Sequence, residues 1–384
     1  MKVLLSCGEP SGDLYAGALT RELLSLDPST HVFGMGGDQL REGGGDVAED
    51  YRGLTVTGLS EAVSTLPRAW ATYRRLVALA RRERPDVFVP IDFPDFNFRL
   101  ASSLHRLGIP VAYYICPQVW AWRRSRLRSI KRFTTRALVI FPFEESVYQQ
   151  ANIPVEFVGH PLVDLFERGR PGDSWHRGHG LDPKSPTVAL LPGSRPNEVR
   201  AILPVLVEAM PLIERRVRGT QFVVARAPYL DDGLFSAVLD RSSHGLPRAP
   251  IVVEAQTDDV LSAADVVVTA SGTATVQTAL HERPMVIVYR LSPVTYRLVK
   301  TFAHVESAGM VNLIAGEKIV PELLQDALTP EAVADAVVRF LSDPEHAERT
   351  RAALAGVRSR LGSSGASRRA AQAILSVGQG QRGR

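Results

Sequence analysis

Cysteine is nearly absent: Cys7 and Cys116 are the only two in 384 residues. They lie far apart and neither has a partner at metal-ligand spacing, which argues against a disulfide framework or a zinc site and points to a reducing compartment. No apolar run approaches the roughly 20 residues that span a bilayer. The opening Val3-Leu4-Leu5 meets Gly8, Glu9 and Asp13 where a signal peptide would need its hydrophobic region. These absences place the chain in the cytosol, soluble or on the inner face of a membrane. Nucleotide signatures are also missing. No P-loop Gly-Lys-Ser/Thr occurs, and Gly34-Met35-Gly36-Gly37 does not complete G-x-G-x-x-G, so a nicotinamide cofactor is disfavoured. No D-x-D occurs, which removes the usual acidic ligands of a metal-bridged diphosphate, and His31, His105 and His160 are scattered as structural histidines are. No cofactor or metal is expected.

What is present describes a folded protein of two domains. The length exceeds what one core usually organises, and 45% hydrophobic with 22% charged residues is ordinary globular composition. Short β-branched runs alternate with helical patterns, so the fold class is α/β with parallel sheets. Strands are expected at 2–7, 31–34, 87–91, 111–115, 137–141 and 155–158, and again at 187–191, 221–225, 251–254, 266–270 and 285–289. Each half reads as its own Rossmann-like layer. The Gly-, Pro-, Asp- and His-rich stretch before 187 has no periodicity and reads as an interdomain linker beside a cleft. The expected division is 1–167, a linker at 168–186, a second domain at 187–345, C-terminal helices at 346–377 packing across domains or subunits, and a disordered tail at 378–384.

Net charge is only +4, but the positive charge is concentrated. Residues 68–84 hold six arginines against one glutamate, and 123–136 hold seven basic residues with no acid. The second run follows Pro117-Gln118-Val119-Trp120-Ala121-Trp122, which sets two indoles beside it. Arginines and tryptophans together suit a phosphate or a membrane surface; a solvated basic helix beside a core aromatic pair explains them equally. The helix expected at 66–84, with Pro67 in its first turn, puts Leu66, Trp70, Tyr73 and Val77 on one side and Arg68, Arg74, Arg75, Arg81 and Arg82 on the other. Such a helix can lie in an anionic membrane interface or pack its stripe on a sheet.

Three strand-to-helix junctions carry small residues. Gly8-Glu9-Pro10-Ser11-Gly12-Asp13 puts Glu9, Ser11 and Asp13 at a strand's C-terminal end, where open α/β sheets bind ligands and where helix caps also occur. Gly193-Ser194-Arg195 opens a helix whose free amides and guanidinium suit a diphosphate. Ser271-Gly272-Thr273 repeats the arrangement. Asp92 and Asp95 end an apolar strand, in surroundings expected to raise a carboxylate's pKa as a general base requires; the alternative is that Asp95 caps the helix beginning near Phe96 and Asp92 satisfies loop amides, a reading that suits Asp95 better than Asp92.

Seven segments in one order resemble the lipid-A-disaccharide synthase family: GEPSGD from Gly8, PDVFV from Pro85 with IDFPDFN from Ile91, PQVWAW from Pro117, VGHP from Val158, LLPGSR from Leu190, ASGTA from Ala270 and NLIAG from Asn312. The resemblance runs from Met1 to about Val377. It implies an inverting, metal-independent glycosyltransferase of the GT-B type, two Rossmann-like domains facing a cleft. The reaction implied transfers 2,3-diacylglucosamine from UDP-2,3-diacylglucosamine to lipid X, the corresponding 1-phosphate, at the cytosolic face of a bacterial inner membrane. By the same resemblance Asp92 is the catalytic base. Gly193, Ser194, Arg195, Ser271, Gly272, Thr273, Gln277 and Asn312 hold the donor, and Glu9, Ser11, Asp13, Asp95 and Gln118 face the acceptor. Leu66, Trp70, Tyr73, Arg74 and Val77 would then meet the membrane from which the acyl chains come. Enzymes of this kind often have Glu where Gln277 stands, so its amide would hold the ribose without charge. A homo-oligomer through the C-terminal segment is compatible with the family, and nothing suggests nucleic-acid binding. Rivals of the same fold are a lipid II-type GlcNAc transferase and a UDP-GlcNAc 2-epimerase; a two-lobed solute-binding protein would need the missing signal peptide.

Overall fold

The computed structural model describes residues 1–54, 59–117, 126–166, 173–228, 230–239, 246–291 and 309–382. The chain forms two compact units: one is Met1–Leu165 with Leu361–Arg384, the other the described residues between them. In the first unit the strands are β1 (Lys2–Ser6), β2 (His31–Gly36), β3 (Asp46–Asp50), β4 (Val87–Pro90), β5 (Ala112–Tyr114), β6 (Arg136–Val139) and β7 (Val155–Phe157). Two runs, β3-β2-β1-β4 and β5-β6-β7, are parallel throughout. Parallel bridges Phe88↔Val111 and Ile91↔Tyr114 join them. The second unit contains β8 (Thr187–Leu191), β9 (Gln221–Arg226), β10 (Ile251–Glu254), β11 (Val266–Ala270), β12 (Met285–Tyr289) and β13 (Glu322–Leu324), parallel in the order β10-β9-β8-β11-β12-β13.

Continuous apolar runs make these central strands because helices cover both faces. Val3, Leu4 and Leu5 of β1 and every residue of β4 and β8 are buried. On one side of the first sheet, Leu4, Phe88, Val111 and Tyr113 pack with Leu76, Leu100 and Leu104 of the helices Leu59–Glu83 and Pro94–Arg106. The helices Pro10–Leu26 and Ala366–Arg382 pack together, and the latter also meets β4 and β5. Each sheet reverses its strand order once, between β1 and β4 and between β8 and β11. Connections leave such a point in opposite directions, so the loops at its carboxyl edge are where a ligand can enter.

Several expectations need correcting. No strand was expected at β3 or β13, because both are sheet edges without a buried apolar run; β3 alternates exposed and half-buried residues. The basic helix begins at Leu59, with Pro67 inside it rather than in its first turn. The expected tail from 378 is helical as far as Arg382. The C-terminal block divides: Pro344–Arg360 falls in the second unit and Ala366–Arg382 in the first. Within the expected linker, residues Asp173–Gly178 form a short helix. No described helix is long and apolar enough to cross a membrane.

A polar clip holds the C-terminal helix to the first unit. The Asp164 carboxylate accepts the N–H groups of Gly365, Ala366 and Ser367, at 2.6, 3.3 and 2.8 Å, capping the start of the helix. Arg369 donates to the carbonyls of Val158, Ser363 and Ser364. Beside it His160, 3% exposed, accepts the Leu162 N–H on Nδ1 at 3.1 Å and packs against Tyr15 and Phe141. Burial lowers its pKa to about 3, so the ring is neutral. Replacing Asp164 with Ala should remove about 1–2 kcal/mol of capping and lower the calorimetric unfolding temperature by a few degrees; an unchanged transition would refute the clip. His160 predicts a pH effect of definite sign. The unfolded chain binds a proton near pH 6.5 and the folded one only near 3, so stability falls as pH drops below 6.5 and this residue's contribution flattens below about 3. His160→Gln, compared with the parent by urea unfolding at pH 7 and pH 5, should lose that part of the slope.

Candidate active site

At the reversal in the first unit, the loops after β1 and β4 pack directly together. A Cβ on Gly8 would lie 2.2 Å from the Phe93 ring, so only glycine allows the two loops to meet. Glu9, half-buried, is the N-cap residue of Pro10–Leu26 but makes no side-chain cap, and Ser11 is half-buried in the first turn. All three lie at the sheet's carboxyl edge, but Asp13 is committed to the backbone there. It is buried, and its two oxygens accept N–H groups from Gly37, just after β2, and from Gln39 and Leu40, at 2.6, 3.0 and 3.2 Å. Its carboxylate caps the helix Asp38–Glu42. Burial pushes its pKa up against the three hydrogen bonds that lower it.

Asp92 leaves β4 with φ +44° and Phe93 follows with φ +50°. Two successive non-glycine residues in the left-handed region cost about 1–2 kcal/mol each unless their surroundings enforce them. The enforcement is visible. The Asp92 N–H donates to the Ile115 carbonyl at 3.2 Å, and its own carbonyl accepts Asn97 Nδ2 at 2.8 Å and Tyr113 Oη at 3.1 Å. Asp92 is exposed, so this unit does not supply the apolar enclosure expected around it. Asp95, also exposed, sits in the first turn of Pro94–Arg106 and pairs with Arg126 from the basic run, whose guanidinium also lies over Phe98. The residue before that helix is Phe93, so Asp95 is not its cap. Gln118 lies outside the described residues.

The second unit repeats the edge with different chemistry. Gly193 has φ +125°, and a Cβ there would stand 2.6 Å from Glu198. Glu198 accepts the Ser194 N–H at 3.1 Å and faces Arg195 at 3.5 Å, so Arg195, at the N-cap of Pro196–Arg216, is held by a carboxylate in that helix's first turn. At the adjacent strand end, Ser271 N–H donates to Val288 and Gly272, φ +146°, precedes the helix Thr273–Leu280. Among the described residues no atom lies within 4 Å of a Cβ built on Gly272, so those residues leave space beside it, at that helix's N-cap. Gln277 is half-buried one turn along, at the i+4 position from Thr273 and on the same face.

Asn312 is tied to the backbone. Buried in the helix Met310–Ala315, it donates to the Val320 carbonyl and Glu322 Oε1 at 3.0 and 2.7 Å and accepts the N–H groups of Ile319 and Val320. All four of its amide positions are occupied by the protein, so it shapes the 319–322 segment. Sequence reasoning gave no role to Ser6, Asn97, Tyr113, Glu198 or Glu322. Asn97 ends the IDFPDFN segment and Glu198 stands three residues after LLPGSR, and in each the available signal is a polar residue following an aspartate- or glycine-bearing turn. Another string, Ser262–His281–Asp258, has hydrogen bonds of 3.1 and 2.8 Å, but Ser262 is buried, which closes it to a substrate as a nucleophile. Burial likewise raises both thiols well above their ordinary pKa, so Cys7 and Cys116 are poor nucleophiles.

Of the residues proposed for a membrane, Leu66 and Trp70 are exposed by 54% and 58%, and Arg74 is exposed beside them. Tyr73 and Val77 instead pack against the core, and Tyr73 Oη bonds Ser103 at 2.7 Å. The stripe therefore divides into an outward tip and a core-facing remainder.

Solved structures share this fold at low identity. UDP-GlcNAc 2-epimerase from Neisseria meningitidis, bound to UDP-GlcNAc, superposes with a TM-score of 0.71 at 12% identity, covering 98% of this chain and 100% of that one. A calicheamicin glycosyltransferase gives 0.59 at 16%, covering 100% and 99%. These likenesses show the GT-B architecture and no more. Sequence likeness is much stronger. The lipid-A-disaccharide synthase of Geobacter metallireducens is 41% identical over 379 residues, covering 98% of this chain and 97% of that protein. That of Koribacter versatilis is 40% identical over 384 residues, covering 99% of each, and that of Myxococcus xanthus 39% over 376, covering 98% and 97%. The Lipid-A-disaccharide synthetase family profile matches residues 3–377, and with these relatives it shows that the chain belongs to that family.

Proposed function

We propose that this chain transfers 2,3-diacylglucosamine from UDP-2,3-diacylglucosamine to the 6-hydroxyl of lipid X, giving a β-1,6-linked disaccharide 1-phosphate and UDP in lipid A biosynthesis. The observation that carries the reading is the match to lipid-A-disaccharide synthases along almost the whole chain. The epimerase alternative rests on fold alone, at 12% identity.

In this reading Asp92 removes the acceptor hydroxyl's proton as the oxygen attacks the anomeric carbon. The C1–O bond to UDP breaks as the new C1–O bond forms, with inversion and without a metal. The amides of the Gly193–Arg195 and Ser271–Thr273 turns, with Arg195, take the developing charge of the departing diphosphate. Gln277 meets the nucleoside as a neutral amide. Glu9, Ser11 and Gln118 serve the acceptor, and Asp95, through its pair with Arg126, sets the charge beside it. The exposed Leu66 and Trp70 with Arg74 suit a peripheral contact with an anionic inner-membrane surface, from which both acylated substrates come.

Purified protein should release UDP from UDP-2,3-diacylglucosamine in detergent only when lipid X is present, and EDTA should not diminish it. UDP release without lipid X, or a strict metal requirement, would defeat the scheme. Asp92→Asn should lower kcat by about 10²–10⁴-fold while leaving UDP affinity near the parent's; full turnover would remove Asp92 from its role. Gly193→Ala should weaken UDP binding by about tenfold, since a Cβ both enters the left-handed region and meets Glu198. Unchanged affinity by titration calorimetry would take that turn out of the donor site.

A further inference from the structure

Asparagine is a weak helix former, yet Asn97 sits in the first turns of Pro94–Arg106 with no exposed surface. Its side chain is turned back across the helix start. Nδ2 faces the carbonyls of Asp92, Ile91 and Ser6 at 2.8, 3.3 and 3.2 Å, and Oδ1 accepts the Ser6 hydroxyl at 2.7 Å. Turning the amide over would set its oxygen against three carbonyl oxygens, so the network fixes its orientation. Asn97 thus joins the last residue of β1 to the end of β4, the two strands between which the order reverses. Its backbone N–H closes the first helical turn on Phe93, the second left-handed residue. Tyr113 Oη, reaching from β5, donates to the same Asp92 carbonyl.

We infer that Asn97, supported by Ser6 and Tyr113, is a positioning residue for Asp92: it fixes the left-handed turn that carries the Asp92 carboxylate at the sheet edge. This inference rests on the reading of Asp92 as the base and adds to it. A base must stand within hydrogen-bond reach of the proton it removes, and an error of about 1 Å can cost 10²-fold in rate. Without the Asn97 amide the Asp92 carbonyl loses one of two donors, and the chain can relax out of two strained residues, moving the carboxylate. No contact between Asn97 and either substrate is needed. An effect on donor binding is therefore not expected, since the turns that hold UDP lie in the other unit.

The test is a set of variants assayed for kcat, donor KM and UDP affinity. Asn97→Ala and Asn97→Asp, the latter keeping the shape but replacing the donor nitrogen by oxygen, should lower kcat by about 10- to 100-fold. Tyr113→Phe, which deletes one hydroxyl, should give a smaller loss of the same kind. In all three, donor KM and UDP affinity should stay within about twofold of the parent, the pattern of a group that acts in the transition state alone. Parental kcat in the Asn97 variants, or kcat and UDP affinity falling together, would overturn the inference. If the Asn97 variants do not fold, Tyr113→Phe decides it, and parental kcat there overturns it. Asp92→Asn in the same series separates the two readings: turnover retained in it removes the base, whereas its loss beside normal Asn97 variants removes only the positioning.

Discussion

Parallel strand pairing with one reversal of order is the constraint on which the rest depends. A parallel neighbour can be reached only through a crossover, and at β1/β4 and β8/β11 successive crossovers lead away in opposite directions. The loops at those two points gather at the sheet's carboxyl edge, and their small residues allow close approach of one loop to another, as where Gly8 meets the Phe93 ring. Chemistry is then divided by what each edge carries. In the first unit it is a carboxylate, Asp92, on a strained turn. In the second it is amide groups and one arginine around Gly193 and Gly272. In the proposed reaction one group takes a proton while others accept negative charge.

Four buried or half-buried polar side chains among the described residues serve the backbone. Asp13 caps a helix, Asp164 caps another, Asn312 ties a loop and Asn97 ties two strand ends. Each satisfies N–H or C=O groups at places where regular pairing stops, and an unpaired buried group would cost about 1–3 kcal/mol. The distinction has a functional consequence. Groups whose hydrogen-bonding capacity is filled by the backbone hold geometry, and the proposed substrate contacts fall among half-buried or exposed residues, Glu9, Ser11, Asp92 and Gln277.

Much of the architecture was legible because central strands buried on both faces read as continuous apolar runs, as β1, β4, β8 and β11 do. The edge strands were not, since Asp46–Asp50 pairs on one side only and needs no such run. Pro67 looked like a helix start because proline favours that place; inside a helix it forfeits only its own N–H bond where the turn tolerates the ring. The site was legible as glycine-rich junctions but not in the roles of individual side chains. Asp13 accepts from residues 24 to 27 positions away, and Asn312 from a segment that follows it, so neither partner could be read locally. The apolar stripe of Leu59–Glu83 was visible, but its division into core-facing Tyr73 and Val77 and outward Leu66 and Trp70 was not, because it is set by packing against distant residues such as Ser103.

The most direct measurement is the anomeric configuration of the glycosidic bond in the isolated product, read from its proton coupling by NMR. One carboxylate acting as base in a single displacement gives inversion, hence a β-linked disaccharide from an α-linked sugar nucleotide. An α-linked product would require a second displacement or a front-side path, and would contradict the role given to Asp92.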